Sequence, residues 1–239
     1  MNLTNKNILI TGGSLGIGKE TAKLLIQKGA NVIVTGRSEI RLIEAKEYSN
    51  AEYIVFDISK TDEIKNKAKK CIELFNGKVD VLINNAGIGV SSKIEDVEFS
   101  DFKKVFDVNV FGLSLLTKEI VLIMKSQKSG TIINIGSSAS KKGYIGGSVY
   151  AASKFAVRAL TQCWQTELRS FNIRVCQINP SEVTTAFNNP DRKERTDIKN
   201  KLSPREIAHS IASTLEMENK GFITELNIWA TNPFDNITT

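Results

Sequence analysis

Three cysteines, four prolines and one histidine are all that 239 residues hold of the residue types that most often staple, kink or ligate a fold. Cys71, Cys163 and Cys176 are odd in number, have no C-x-x-C spacing and lie in apolar periodic segments. They read as reduced packing residues, which excludes a disulfide framework and a thiolate metal set. The lone His209 lies in "SPREIAHSIASTLE", behind a capping Ser203 and a Pro204 at the first helical position. That pattern predicts a helix carrying His209 on its surface or in its packing, with no nearby partners for a metal. Long apolar runs are missing too: none reaches the roughly 20 residues that a bilayer span needs. The start, "MNLTNKNILI", enters a strand-like segment without signal-peptide architecture, so a soluble cytoplasmic protein with no membrane partner is expected. The net charge of +6 is modest, and its lysines are interspersed with acids, as in "KTDEIKNKAKK". With no concentrated basic stripe and no reader motif, nucleic acid is excluded as a partner, while an anionic small-molecule cofactor fits the surplus.

What is present is alternation. Short β-branched runs stand at Asn7–Thr11, Asn31–Thr35, Glu52–Asp57, Val79–Asn85, Gly130–Gly136, Ile173–Asn179 and Ile223–Trp229, and amphipathic segments of helical length separate most of them. Continuous apolar strands joined by crossover helices predict an α/β protein: a doubly wound, parallel, seven-stranded sheet with helices on both faces, the Rossmann fold. One domain over residues 1–239 is expected. Residues 184–203, which begin "TTAFNNPDRKERTDIKNK" and contain Pro190, are polar and without period. Following a strand end, where open α/β sheets bind ligands, they are read as a substrate lid, the alternative being a plain surface loop.

Directly after the first strand comes "TGGSLGIGKETAKLL", with Gly12, Gly16 and Gly18 at a turn that opens a helix. Glycines there allow a tight turn and close backbone approach, and the helix start offers unpaired N–H groups to a pyrophosphate. The second strand ends "VTGRSE". A carboxylate at that point would bind the ribose hydroxyls of NAD(H); Arg37 instead favours the extra phosphate of NADP(H). Alternatively, Arg37 is an ordinary loop residue and Glu39 is the ribose acceptor.

Further along, "SVYAASKFAV" places Tyr150 and Lys154 on one helix face. Taken together, "TGGSLGIG", Asp57, "NNAG" at Asn84–Gly87, Asn109 in "VNVFG", "INIGSS" at Ile133–Ser138 and "YAASK" at Tyr150–Lys154 resemble the short-chain dehydrogenase/reductase family over nearly the whole chain. The resemblance implies a hydride-transferring enzyme acting on a small carbonyl compound or secondary alcohol. It implies Tyr150 as proton donor or acceptor, Lys154 as the charge that stabilises its phenolate and as a ribose ligand, Asn109 in support of Lys154 through water, and Ser137 as a second hydrogen-bond donor to the substrate oxygen. Ser138 is the one-residue alternative to Ser137. For the cofactor it implies Gly12, Ser14, Leu15, Gly16, Ile17 and Gly18 at the phosphates, and Asp57 and Ile58 at the adenine. Asn84, Ala86 and Gly87 would line the central cleft, with Val183 and Thr185 of "NPSEVTT" beyond it. There Ser181 replaces the family's usual glycine, which puts a positive φ at that position in question. The family is usually a homodimer or homotetramer built on the helices that carry Asn109 and Tyr150. Two other functions are weighed. A 3-oxoacyl-acyl-carrier-protein reductase would need a basic docking patch, for which Lys128 and Arg169 are candidates; the ending "GFITELNIWATNPFDNITT" departs from the "VDGG"-like element of many such relatives. A non-catalytic dinucleotide sensor would be expected to have lost Tyr150, Lys154 or Ser137, and all three are present.

Overall fold

A computed structural model describes residues 1–187, 189, 191–195, 198–218 and 220–233. In chain order the elements are β1 (Asn7–Thr11), α1 (Gly16–Gln27), β2 (Asn31–Gly36), α2 (Glu39–Ser49), β3 (Glu52–Val55), α3 (Ile64–Leu74) and β4 (Val81–Asn84). There follow α4 (Phe99–Phe106), α5 (Leu113–Gln127), β5 (Gly130–Ile135), α6 (Ser148–Leu168), β6 (Ile173–Pro180), α7 (Pro204–Glu216) and β7 (Glu225–Ile228). The seven strands form one sheet in the order β3-β2-β1-β4-β5-β6-β7, and each neighbouring pair is parallel.

Side chains alternate across a strand, so a sheet covered on both sides needs apolar residues at every position. Ile8 and Ile10 of β1 enter one core with Leu25 of α1, Leu42 of α2 and Ile207 of α7. Leu9 between them enters the other core, with Cys71 of α3 and Ile120 of α5. The same division repeats at Val32, Ile33 and Val34 of β2. The unbroken apolar runs are therefore two interleaved half-faces.

Several expected boundaries shift. β3 stops at Val55, because beyond Phe56 the Asp57 carboxylate accepts from the N–H and hydroxyl of Ser59 and turns the chain. β4 and β7 are likewise shorter than the apolar runs that mark them. The α7 start is as read: Ser203 and Glu206 form a reciprocal capping box with Pro204 at the first turn, and His209 is exposed. Cys71 and Cys176 are buried in opposite cores, but Cys163 is exposed on α6 and is not a packing residue. Its helix buries Thr161 and turns position 163 outward. Among the described residues, no helix is long and apolar enough to cross a membrane, and no group of three or more His, Cys, Asp or Glu side chains could hold a metal ion.

β1 pairs with β2 on one side and β4 on the other, so chain order reverses at β1 and a crevice opens beyond the carboxyl ends of β1 and β4. The segment after β6 returns beside it. It is closed at its base by pairing of Val183 with Leu202 and by Thr184, whose N–H donates to the Leu202 carbonyl. Of residues 184–203, positions 188, 190, 196 and 197 lie outside the described residues, Pro190 among them.

Candidate active site

The crevice holds a cavity of about 680 Å³. The turn after β1 forms one wall. Gly12 has φ +67° and Gly16 φ +53°, and a Cβ on Gly12 would stand 2.8 Å from the Ala86 Cα. Both the left-handed backbone and the close approach of the loop after β4 require the missing side chain. Gly12, Ser14, Leu15, Gly16 and Ile17 line the cavity, and Gly18 does not. A Cβ on Gly18 would meet the Gly12 carbonyl and the Asn85 amide, so this glycine serves packing within the turn.

The "NNAG" pair divides in an unexpected way. Asn84 is buried beneath the sheet, donating to Thr117 Oγ1 at 2.9 Å and to Asn134 Oδ1 at 2.8 Å, and so does not line the cleft where it was expected. Asn85 does line it, and its amide donates to the carbonyls of Thr11 and Gly12, both at 3.0 Å. It thereby ties the loop after β4 to the turn after β1. Strand parity carries the signal: Leu82 points into the core under α3 and α5, and Asn84, two residues on, shares that face. Ala86 and Gly87 line the cavity, as do Asp57 and Ile58.

An anion already sits at the start of α1. The Glu194 carboxylate accepts from the Gly16 N–H at 2.8 Å and from Lys19 Nζ at 2.9 Å. Burial works to raise this carboxyl, but the Gly16 hydrogen bond and the Lys19 ammonium outweigh it and hold Glu194 below the usual carboxylate range. Its oxygens stand in for those of a phosphate at the Gly16 N–H, an otherwise unpaired donor of a turn that lines the cleft. The residues present thus fit a dinucleotide pyrophosphate.

At the end of β2, Arg37 and Ser38 line the cavity together with Arg41 of α2. Glu39 does not line it and is exposed on the first turn of α2, away from the ribose position considered for it. Val183 and Thr185 line the opposite wall. Ser181 is not among the residues with positive φ, and its N–H donates to the Ile228 carbonyl at 2.8 Å, so no glycine is needed there.

Beyond the end of β5 the cleft contains Ser137, Tyr150 and Lys154. Tyr150 shares a side-chain hydrogen bond with Ser137 and stacks at a tilt on Phe187, ring centroids 5.5 Å apart. Lys154 is buried, its Nζ donates to the Ile135 carbonyl at 2.8 Å and lies 5.8 Å from the Tyr150 ring centre. Burial raises the Tyr150 phenol to about 12, reinforced by Tyr144 and opposed by the Ser137 bond. Burial also lowers the Lys154 ammonium to about 8. The expected phenolate stabilisation is thus not what the protein alone produces. Desolvation disfavours whichever form is charged, and Lys154 directs its ammonium to a carbonyl.

Ser137 is held by a group that sequence reading missed. Its N–H lies 3.2 Å from Asn179 Oδ1, and Asn179 is itself held by Gln177 and by Glu225, to which Arg158 donates twice. A Cβ at Gly136 would collide with Asn179 Oδ1, which explains a glycine inside "NIGSS". Ser138 also lines the cavity but opens a short 3₁₀ turn, whereas Ser137 makes the bond to Tyr150.

Asn109 lies outside the cleft lining, in a π-helical turn spanning Asp107–Gly112. Its side chain accepts from the Ile88 N–H and donates to the Ile88 carbonyl and Ser153 Oγ, so it ties the loop after β4 to α6. Gly87 lies between it and Lys154: a Cβ there would sit 3.4 Å from Asn109 Oδ1 and 3.6 Å from Lys154 Nζ. Lys128 and Arg169 do not flank the site. Lys128 caps α5 ahead of β5 and Arg169 follows α6 ahead of β6, at the amino ends of those strands and so opposite the cleft, where Arg169 lies over Phe222. They form no docking patch beside it.

A parallel sheet with a glycine turn at its switch point and a Tyr-x-x-x-Lys helix across the cleft is the architecture of a Rossmann-type oxidoreductase. The chain belongs to the short-chain dehydrogenase family, whose model, described as short chain dehydrogenase, matches residues 6–196. It is 31% identical over 233 residues to an uncharacterized oxidoreductase of Staphylococcus aureus strain MRSA252, covering 95% of this chain and 97% of the relative. Among solved structures it is similar to an alcohol dehydrogenase of the archaeon Thermococcus sibiricus complexed with 5-hydroxy-NADP, with a TM-score of 0.86 and 27% identity over 97% of this chain and 99% of that one. A serine dehydrogenase in closed form, complexed with NADP+, also gives 0.86 and 27%, covering 98% of each chain.

Proposed function

We propose that this oxidoreductase uses NADP(H) to interconvert a small carbonyl compound and its secondary alcohol, with Tyr150 as proton donor and acceptor. The observation that carries the reading is the convergence of Ser137, Tyr150 and Lys154 in the same cleft as the glycine turn and Arg37. NADPH, when bound, supplies the hydride that adds to the carbonyl carbon. Ser137 Oγ hydrogen-bonds the carbonyl oxygen as negative charge develops there, and Tyr150 Oη delivers its proton to that oxygen. A phenol raised to about 12 keeps its proton at neutral pH, the form that can donate to a carbonyl oxygen. Lys154 brings a positive charge beneath the ring and holds the nicotinamide ribose, while Asn109 fixes Ile88 and α6 around it. Phe187 packs against Tyr150, and Ile88, Ala139 and Tyr144 line the same cavity, an apolar and aromatic lining suited to an uncharged carbonyl compound.

Similarity to two NADP-complexed structures supports the cofactor choice. The placement of Arg37 within the cleft and Glu39 outside it supports the same choice. Residues 184–203 serve as the lid, and the chain acts as a single domain. We further propose a cytoplasmic homodimer or homotetramer. Phe102, Phe111, Leu115, Leu122 and Phe155, exposed on α4, the π turn, α5 and α6, supply an apolar face for self-association, and the cysteines are free thiols.

The test is NADPH oxidation against ketones, 3-oxoacyl thioesters and quinones. Turnover of a ketone is expected; turnover of no carbonyl class would overturn the reading. A second result concerns Glu194. Because its carboxylate holds donors that a pyrophosphate needs, Glu194→Ala is expected to tighten NADPH and NADH alike, by about tenfold in a fluorescence titration. Unchanged or weaker binding of both would show that those donors are not the cofactor's.

A further inference from the structure

Arg37, Arg41 and Arg192 come from three different places in the chain, namely the end of β2, the first turns of α2 and the segment after β6, and all three line the same cavity. Among the described residues, none of the three is within ion-pair distance of a carboxylate. The Arg192 guanidinium is lowered by burial and then by the charges of Arg37 and Arg41. Three like charges gathered without a counter-ion at the edge of a cleft are unfavourable unless an anion is to be held there.

The backbone is built to bring Arg192 in. Arg192 has φ +53°, the left-handed region that an arginine seldom adopts. Asn189 holds the turn around it: its Oδ1 accepts from the Asp191 N–H, its carbonyl from the Arg192 N–H, and its amide donates to the Lys193 carbonyl. Arg41 reaches across to the Asp191 carbonyl at 3.4 Å. These bonds are separate from those of Glu194, so the turn can keep Arg192 in place when that carboxylate gives way. Ser38, the N-cap of α2, stands beside the cluster and also lines the cavity.

We propose that Arg192 and Arg41 join Arg37 in binding the 2′-phosphate of NADP(H), so that the group distinguishing the two dinucleotides is read in part by the segment that follows β6. The inference rests on the NADP(H) reading above. It adds that cofactor choice is not settled at the end of β2 alone. A phosphate dianion accepts paired hydrogen bonds from guanidinium groups, and guanidinium groups arriving from separate elements can surround it where one cannot. The turn after β6 is thereby drawn toward a phosphorylated ribose and has nothing equivalent to grip on an unphosphorylated one.

The test is calorimetric binding of 2′,5′-ADP and 5′-AMP, two fragments that lack the nicotinamide and carry no catalytic readout. The variant is Arg192→Gly, since glycine accepts the positive φ and removes the side chain with its guanidinium. The expected result is a loss of about ten- to one-hundredfold in 2′,5′-ADP affinity, with 5′-AMP unchanged. Equal losses for the two ligands, or no loss for either, would overturn the inference while leaving the NADP(H) reading standing. A wild-type chain that binds 2′,5′-ADP no more tightly than 5′-AMP would overturn the NADP(H) reading and this inference with it.

Discussion

Replacing Tyr150 with phenylalanine is expected to lower carbonyl reduction by about 10²- to 10⁴-fold, the range associated with a positioned proton donor. The substitution removes one oxygen and leaves the ring. Packing of that ring on Phe187 is retained, and so is the face that it presents toward Lys154. The variant should therefore fold, melt near the wild-type temperature and bind NADPH with nearly unchanged affinity, because no part of the glycine turn or the arginine cluster depends on the phenol oxygen. The loss should fall on kcat. Steady-state kinetics beside a binding titration check this, and retained turnover would remove Tyr150 from the reaction.

The second large effect concerns the cofactor. Arg37→Ala is expected to weaken NADPH by about ten- to one-hundredfold and NADH hardly at all, since only NADPH carries the 2′-phosphate with which its guanidinium would make a charge-assisted bond. Arg37 is exposed at the cleft edge and holds no ion pair among the described residues, so its removal leaves the fold intact. Dissociation constants for both dinucleotides decide the matter. Equal losses would place Arg37 outside the discriminating site.

Much of this was legible from residue order. Apolar runs at strand length, separated by helical period, already implied a parallel sheet covered on both faces, and TGGSLGIG and YAASK lie at the cleft because each sits at an element end. Other features depended on distance between segments. Nothing local to Asn179 marks it, since its contacts with Ser137 and Glu225 arise from sheet pairing of β6 with its neighbours. Glu194 and Arg192 lie in a stretch without period, and only the folded chain places them against α1 and beside Arg37. Charge alone does not state which end of a strand a residue borders, and Lys128 and Arg169 border the end away from the cleft. Asn84 lies off the cleft for a different reason: strand parity, visible in the sequence, buries it on the Leu82 face although its three motif neighbours line the cavity. The Tyr150–Lys154 spacing correctly put both on one face, yet spacing holds no account of desolvation, which moves the phenol and the ammonium toward their neutral forms.

The central claim is hydride exchange between NADPH and a carbonyl carbon with the proton taken from Tyr150. It is tested most directly with NADPH carrying deuterium at the transferred position of the nicotinamide, incubated with a ketone that the enzyme turns over. Mass spectrometry of the alcohol should place one deuterium on the carbinol carbon in the wild type, with product formation all but lost in Tyr150→Phe. An alcohol without deuterium at that carbon, or equal product formation by both proteins, would contradict the account.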